Sequence, residues 1–394
     1  LRAFVFPAGR NDSGFTVIHM FTGGSGDGAY PYGGLIKHGG SFYGTTAAGG
    51  GTNVGTVFTV TPVGGVTLLH SFSVQDGSQP WAAPTFVNGT LFGTTAAGGN
   101  GGFNAGEVYE IESSGQLRVV LPFDLDMRGG EPYAGVTQFY NGIYGTAYKG
   151  GNSNRGAVYF IHPDKAWGGA HDFGGSVNDG MNPYASLTRV GNTLYGTASG
   201  GGAYGGGTAY VLGKFSGSYE TVYSFGGTSG DGTEPRGKLV SIGGNLYGST
   251  EYGGSSGHGT VFVISASGSE RVLYSFGSVD AQNPIGDLSY FHGALLGSGY
   301  AGGAHGKGGI FKVDLSGNET LLHSFSGKAD GSGPRGSLVV YKGRLYGAAS
   351  FGGASNDGTI FSIKPLCKLG ALPNAVAGFL YTKVQGLFLV RTSS

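Results

Sequence analysis

Charge, cysteine and long apolar runs are all scarce in this chain. Only 12% of its 394 residues are charged, and 23 basic side chains balance 23 acidic ones. A neutral, charge-poor chain is ill suited to sequence-independent nucleic-acid binding, which runs on Lys and Arg against phosphates. The single cysteine, Cys367, has no partner, so a disulfide framework is excluded and the redox compartment is left open. No apolar run reaches the length of about 18 residues that crosses a bilayer, so no membrane span is expected. No charged start leads into an apolar leader either, and a chain opening at Leu1 is expected to be a mature or trimmed form.

Glycine and aromatic residues fill the space that charge leaves. The chain has 85 Gly together with 25 Phe, 23 Tyr and 2 Trp. Each glycine inside a helix costs about 1 kcal/mol relative to alanine, which argues against a helical protein. The glycines follow no Gly-X-Y triplet, and the aromatics run the whole length, so neither collagen nor a flexible linker fits. What remains is an all-β globular protein punctuated by glycine.

The glycines keep a period. Tyr43-Gly44-Thr45-Thr46 recurs as Phe92-Gly93-Thr94-Thr95, Tyr144-Gly145-Thr146, Tyr195-Gly196-Thr197, Tyr247-Gly248-Ser249, Leu296-Gly297-Ser298 and Tyr346-Gly347-Ala348, at spacings of 49, 52, 51, 52, 49 and 50. A Gly-Gly pair follows each copy, then a strand of the type Gly55-Thr56-Val57-Phe58, then a strand ending in Phe, then an Asp-Gly-x-x-Pro turn such as Asp231 to Pro235. Each copy reads as four short strands, a to d, joined by glycine-rich turns, which are hairpin signals. A period near 50 with four strands per unit is that of a propeller blade, while solenoid coils are usually shorter.

The expected fold is therefore an all-β, seven-bladed β-propeller of four-stranded antiparallel blades. An orphan d strand, 15–21, opens the chain, and the seventh copy supplies a, b and c without a d. Joining the two closes the ring and removes both exposed edges. The propeller domain is expected over 1–364. Ala3–Phe6 reads as a partial c strand, and the tail 365–394 matches no copy, with a partial eighth blade as the alternative.

Over about residues 15–363, the combined Tyr-Gly-Thr-Thr, Gly-Gly, Gly-Thr-Val-Phe and Asp-Gly-x-x-Pro strings resemble the glycine-rich GloVer tandem repeats of secreted or surface-attached bacterial proteins. The resemblance implies a β-propeller-like protein that is secreted or displayed on the cell surface. It brings no catalytic residue with it, and the sorting anchor usual in that family is not evident in 365–394. Kelch propellers share the period and a Gly pair but arrange their aromatics differently.

Blade geometry separates scaffold from site. The a–b and c–d hairpins emerge on one face and are short and uniform. The d–a and b–c connections emerge on the other, and they are long and differ between copies, as binding loops do. His19, His70, His171 and His323 all precede the strand-d Phe by two residues, a repeat-equivalent slot that reads as structural. One Asp per Asp-Gly turn is far short of the six to eight oxygens calcium takes, so these read as Asx-type turns. No metal and no cofactor is expected.

On the variable face, the residue after the turn Pro is Tyr32, Trp81, Tyr133 and Tyr184, then Arg236, Ile285 and Arg335. The third copy, whose turn Asp is replaced by Arg128, adds Tyr148, Lys149 and Arg155. The fifth has Glu251, Tyr252 and His258, and the sixth has Tyr300, His305 and Lys307. An arc of aromatics with fixed cations reads as a glycan platform, with Trp81, Arg128, Tyr133, Lys149, Arg155, Tyr184, Arg236, Glu251, Lys307 and Arg335 in contact with the ligand. Aromatic faces stack on sugar rings, and Arg engages carboxylate or sulfate bidentately. The cation cluster Arg128, Lys149 and Arg155 then makes an acidic polysaccharide the expected partner.

The alternative is a polysaccharide lyase that cleaves a uronate-containing glycan by β-elimination. An Arg or Lys would neutralise the carboxylate, and Tyr148, Tyr252, His258, Tyr300 or His305 would take the proton. A glycoside hydrolase, using Glu131, Glu234 and Glu251, is less favoured, because it needs two carboxylates about 5–10 Å apart. The third reading is a structural or adhesive surface protein without a small ligand.

Overall fold

The computed structural model describes residues 14–112, 115–125, 129–213 and 218–364, together with the backbone of a hairpin, Phe379–Val384 and Leu387–Thr392. Seven four-stranded antiparallel sheets follow one another with the strand order a-b-c-d, making a seven-bladed β-propeller. Blade 1 is typical, with a at Ile36–His38, b at Ser41–Thr46, c at Thr56–Thr61 and d at Gly64–Ser71. Blade 7 takes a, b and c from Val339–Tyr341, Arg344–Ala349 and Thr359–Ile363, and its d strand from Thr16–Met20 at the other end of the chain. That ladder, with Thr16 opposite Ser362 and Met20 opposite Thr359, closes the ring. The hairpin at 379–392 forms a separate two-stranded sheet. Ala3–Phe6 and Cys367 lie outside the described residues.

The repeated strings are the parts of one blade-to-blade joint. The Phe that ends each d strand is buried and packs edge-on against the strand-c aromatic of the next blade. The pairs are Phe72 on Tyr109 (5.2 Å between ring centroids), Phe123 on Tyr159 (5.1 Å), Phe173 on Tyr210 (5.2 Å), Phe225 on Phe262 (4.9 Å), Phe276 on Phe311 (4.8 Å), Phe325 on Phe361 (5.3 Å) and, across the closure, Phe21 on Phe58 (5.3 Å). Such edge-to-face pairs are worth about 0.5–1.5 kcal/mol each beyond the area they bury.

The glycine of the Tyr-Gly-Thr string makes room for that aromatic. Gly145 lies opposite Tyr159 on the neighbouring strand, and a Cβ there would sit 2.2 Å from the Tyr159 hydroxyl. The threonine that follows completes the joint. Thr45, Thr94, Thr146 and Thr197 donate their hydroxyls to the carbonyls of Ala82, Ala134, Ala185 and Gly237, in the segment that leads into the next blade's a strand. The motif thus encodes contacts between blades, which is why it survives while the loops around it vary.

Gly145→Ala is accordingly expected to cost about 2 kcal/mol, as overpacking of a filled core does. Shortening the facing ring with Tyr159→Leu in the same chain should return part of that loss. Urea midpoints of the two variants check this, and an unshifted midpoint for Gly145→Ala would show that the ring does not hold the strand.

Candidate functional site

The d–a and b–c connections share one face and are laced together across blades. The residue before each turn Pro is Tyr30, Gln79, Glu131, Asn182, Glu234, Asn283 or Gly333. The six that are not glycine all take left-handed φ, between 52° and 59°. L-residues adopt that conformation only when neighbours over-determine it. Here the N–H of each donates to the b–c loop of the preceding blade, as Glu131 does to Ala105 O (2.8 Å) and Asn182 to Arg155 O (2.6 Å). Its carbonyl accepts from the b–c loop of its own blade, as Glu131 O does from Tyr148 N (3.3 Å) and Glu234 O from Glu251 N (3.0 Å). Proline follows with φ already set, and the next side chain is thrust to the channel mouth.

Those seven side chains make a ring around the axis: Tyr32, Trp81, Tyr133, Tyr184, Arg236, Ile285 and Arg335 line one cavity. Four consecutive aromatics touch in order, Tyr32 to Trp81 at 5.0 Å, Trp81 to Tyr133 at 4.9 Å and Tyr133 to Tyr184 at 5.1 Å between centroids. An arginine continues the row at each end. Arg236 lies 5.3 Å from the Tyr184 ring, and Arg335 lies 5.0 Å from Tyr32 and 4.3 Å from Tyr300. The cavity between them holds about 80 Å³, room for a handful of waters.

A second tier of polar groups backs the ring on some blades. On blade 3, Glu131 accepts from the Tyr133 hydroxyl (3.0 Å) and from Lys149 Nζ (2.8 Å), while Tyr148 packs on Tyr133 at 5.1 Å. On blade 5, Arg236 is clamped between Glu234 and Glu251, each 2.7 Å away. Burial raises the Glu251 carboxyl above its usual range, against the pull of Arg236. Burial, and next the bond to Glu131, hold the Tyr133 phenol up. The hydrogen bond to Glu251 and burial likewise raise Tyr252, whose ring is exposed.

The other candidates from the sequence fall elsewhere on this face. Arg155, His305 and Lys307 are exposed in the b–c loops, and His258 is half-buried there. Arg155 meets the Met181 sulfur at 2.7 Å. Lys149 is engaged by Glu131 and Arg155 by Met181, and Arg128 lies outside the described residues. Two aromatics not singled out in the sequence, Phe103 and Tyr204, stand exposed on the b–c loops of blades 2 and 4. Their signal was weak, because each is a lone ring within a glycine run.

The strand-d histidines have partners that spacing alone did not show. His19, His70 and His171 reach the turn residues Asp27 (3.1 Å), Asp76 (2.9 Å) and Asp179 (3.1 Å), and His323 stands 3.3 Å from Asp330. Where the slot is Tyr, its hydroxyl donates instead, Tyr223 to Asp231 (3.0 Å) and Tyr274 to Asp280 (2.7 Å). Burial alone would raise Asp27, but the His19 bond and the Gly28 N–H outweigh it and hold the carboxyl low. A signal was present in the sequence, since the copy that lacks the Asp, with Arg128, also carries Leu121 in the slot. Among the described residues no group of three His, Cys, Asp or Glu side chains is placed to hold a metal, and no helix is long and apolar enough to cross a membrane.

Fold and mouth together define a seven-bladed propeller with an aromatic ring at one end of its axis. The chain belongs to the Gloeobacter/Verrucomicrobia repeat family, whose model matches residues 3–159, 101–299 and 271–368. Among solved structures it is similar to a candidate 6-phosphogluconolactonase from Bacteroides uniformis, at 14% identity and a TM-score of 0.51, over 74% of this chain and 84% of that one. Another, from Bacteroides fragilis, gives 15% identity and a TM-score of 0.50 over 75% and 83%. At such identities the likeness shows the fold alone. No curated protein matches the chain.

Proposed function

We propose that this protein is an exported glycan-binding propeller and that the ring at the channel mouth is its platform. The observation that carries the reading is the unbroken row Tyr32–Trp81–Tyr133–Tyr184, four half-buried rings in mutual contact on the variable face. Apolar faces of sugar rings stack on such surfaces, while hydroxyls find acceptors in Glu131, Glu234 and Glu251 just behind. Phe103, Tyr204 and Tyr252 stand exposed on the b–c loops and add aromatic surface for a polymer.

The double variant Trp81→Ala, Tyr133→Ala is expected to lower affinity for an oligosaccharide ligand at least tenfold, about 1.4 kcal/mol, with the circular dichroism spectrum unchanged. Affinity electrophoresis through a panel of neutral and acidic polysaccharides finds the ligand, and unaltered retardation of the double variant would sink the platform.

The β-elimination reading rests on the contact between Arg335 and Tyr300, which sets a phenol beside a cation able to neutralise a uronate. Ultraviolet absorbance of an unsaturated product, lost in Tyr300→Phe, is its expected signature. Binding without product leaves a binder.

A further inference from the structure

The mouth is electrically divided. Behind the ring on blades 3 and 5 stand Glu131, Glu234 and Glu251, with Lys149 and Arg236 spent on them. At the equivalent positions of blades 7, 1 and 2 the chain places Gly333, Tyr30 and Gln79, then Ser350, Ala47 and Ala96, none of them charged. Among the ring side chains on that side the only formal charge is Arg335; Asp287 of blade 6 also lines the cavity, where its carboxylate accepts from the Lys238 N–H (2.9 Å). Arg335 has no carboxylate within ion-pair distance among the described residues, and its plane is set by the rings of Tyr32 and Tyr300.

Two donors on this side are unspent. Trp81 Nε1 and Arg335 Nε are buried without a hydrogen-bond partner among the described residues. Both side chains line the same cavity, and both touch Tyr32, which lies between them. A buried N–H left unpaired is costly, so native proteins rarely keep one without a water or ligand to receive it. An indole N–H and a guanidinium flanking one aromatic ring offer donors only, and donors alone suit an oxyanion. Arg in particular matches the planar carboxylate or the sulfate oxygens of an acidic sugar.

We infer that the blade 7–1–2 side of the mouth is an oxyanion subsite, where Arg335 and Trp81 Nε1 receive the carboxylate or sulfate of an acidic sugar stacked on the aromatic row. The inference rests on the glycan reading and adds to it an orientation. The acidic group points to blades 7, 1 and 2, and the hydroxyl-rich edge points to the carboxylates of blades 3 and 5. It also moves acid recognition from the loop cations Lys149 and Arg155 to a residue of the ring itself.

Isothermal titration with three oligosaccharide series on a common backbone tests it, one uncharged, one bearing uronates and one bearing sulfates. The wild type is expected to favour an acidic series at least tenfold, about 1.4 kcal/mol, and preference for uronate or for sulfate names the oxyanion. Arg335→Gln should abolish that preference. Trp81→Phe keeps a ring and deletes the N–H, and should reduce the acidic-over-uncharged ratio about tenfold, the scale of one hydrogen bond to a charged group. Equal affinity for charged and uncharged series, lost together in Trp81→Ala, Tyr133→Ala, would overturn the subsite and leave the platform standing. An acidic preference untouched by both single variants would also overturn it. No binding of any series by the wild type would remove the platform and the subsite together.

Discussion

A chain that starts at Gly23 is expected to lose cooperative folding, with a melting temperature lower by well over 10 °C or no transition at all. The deletion removes Thr16–Met20, the d strand of blade 7, and leaves the full edge of Thr359–Ile363 unpaired. It strips Phe58 of its partner Phe21, a fully buried ring whose loss alone costs about 3–5 kcal/mol. It also removes Phe15, stacked 3.8 Å from His323, and the Gly14 carbonyl that accepts from Arg344 (2.7 Å). Domains of this kind are stable by only about 5–15 kcal/mol, so these losses consume most of the margin. The freed edge should pair with other copies, because an unpaired edge strand is a template for association. A synthetic peptide covering residues 14–22 is expected to restore the monomer and the transition. If the shortened chain melts like the full one and stays monomeric, closure by the first strand is not what holds the ring.

The second large effect runs the other way. Glu107→Thr is expected to stabilise the protein by roughly 4 kcal/mol near pH 8 and by little near pH 4, on the scale of about 1.4 kcal/mol per unit of pKa shift. Glu107 opens strand c of blade 2, where blades 1, 4, 5 and 7 carry Thr56, Thr208, Thr260 and Thr359. In blades 1 and 5 that threonine meets a strand-b threonine, Thr46 with Thr56 at 2.7 Å and Thr250 with Thr260 at 2.8 Å. In blade 2 the corresponding Thr95 hydroxyl and both Glu107 oxygens are buried without hydrogen-bond partners among the described residues.

Burial, and next the charge of Asp76, push the Glu107 carboxyl up to about 8. A raised folded-state pKa means the folded protein holds a proton that the unfolded chain releases above its ordinary value of 4.5. Stability from this group is thus complete below that value and drains away as pH rises through about 8. The variant lacks that drain and regains a hydroxyl pair with Thr95. Denaturant melts of both proteins across pH read the difference directly. A gap that does not widen with pH would show that Glu107 is not a buried acid.

These residues also show how far the sequence could be read. Glu107 stands in the Thr position of the Gly-Thr-Val-Phe string, but a one-dimensional pattern does not say that the position faces a closed interior. The strand-d histidines were legible as structural because they recur in register, while their Asp partners sit six to eight residues away, around a turn whose geometry the spacing does not specify. The ring at the mouth was legible because it always follows the turn proline. The state of its charges was not. Lys149 and Arg335 look alike in sequence, one cation each on a loop, yet Glu131 takes the first and two aromatic faces hold the second.

The sequence by itself determined the blade, its number of copies, the closure and the face that varies, because each rests on local periodicity and on residues that repeat with it. Only the tertiary structure decided which polar groups are satisfied. Strands near one another in the chain build a blade, whereas the ion pairs and orphaned donors of the mouth arise between loops from different parts of the chain. Whether a charge is spent there turns on contacts of 2.7 to 3.0 Å across that gap, such as those of Arg236 and Glu131. Repetition builds the wheel, and its unpaired donors, Trp81 and Arg335, are visible only once the wheel is closed.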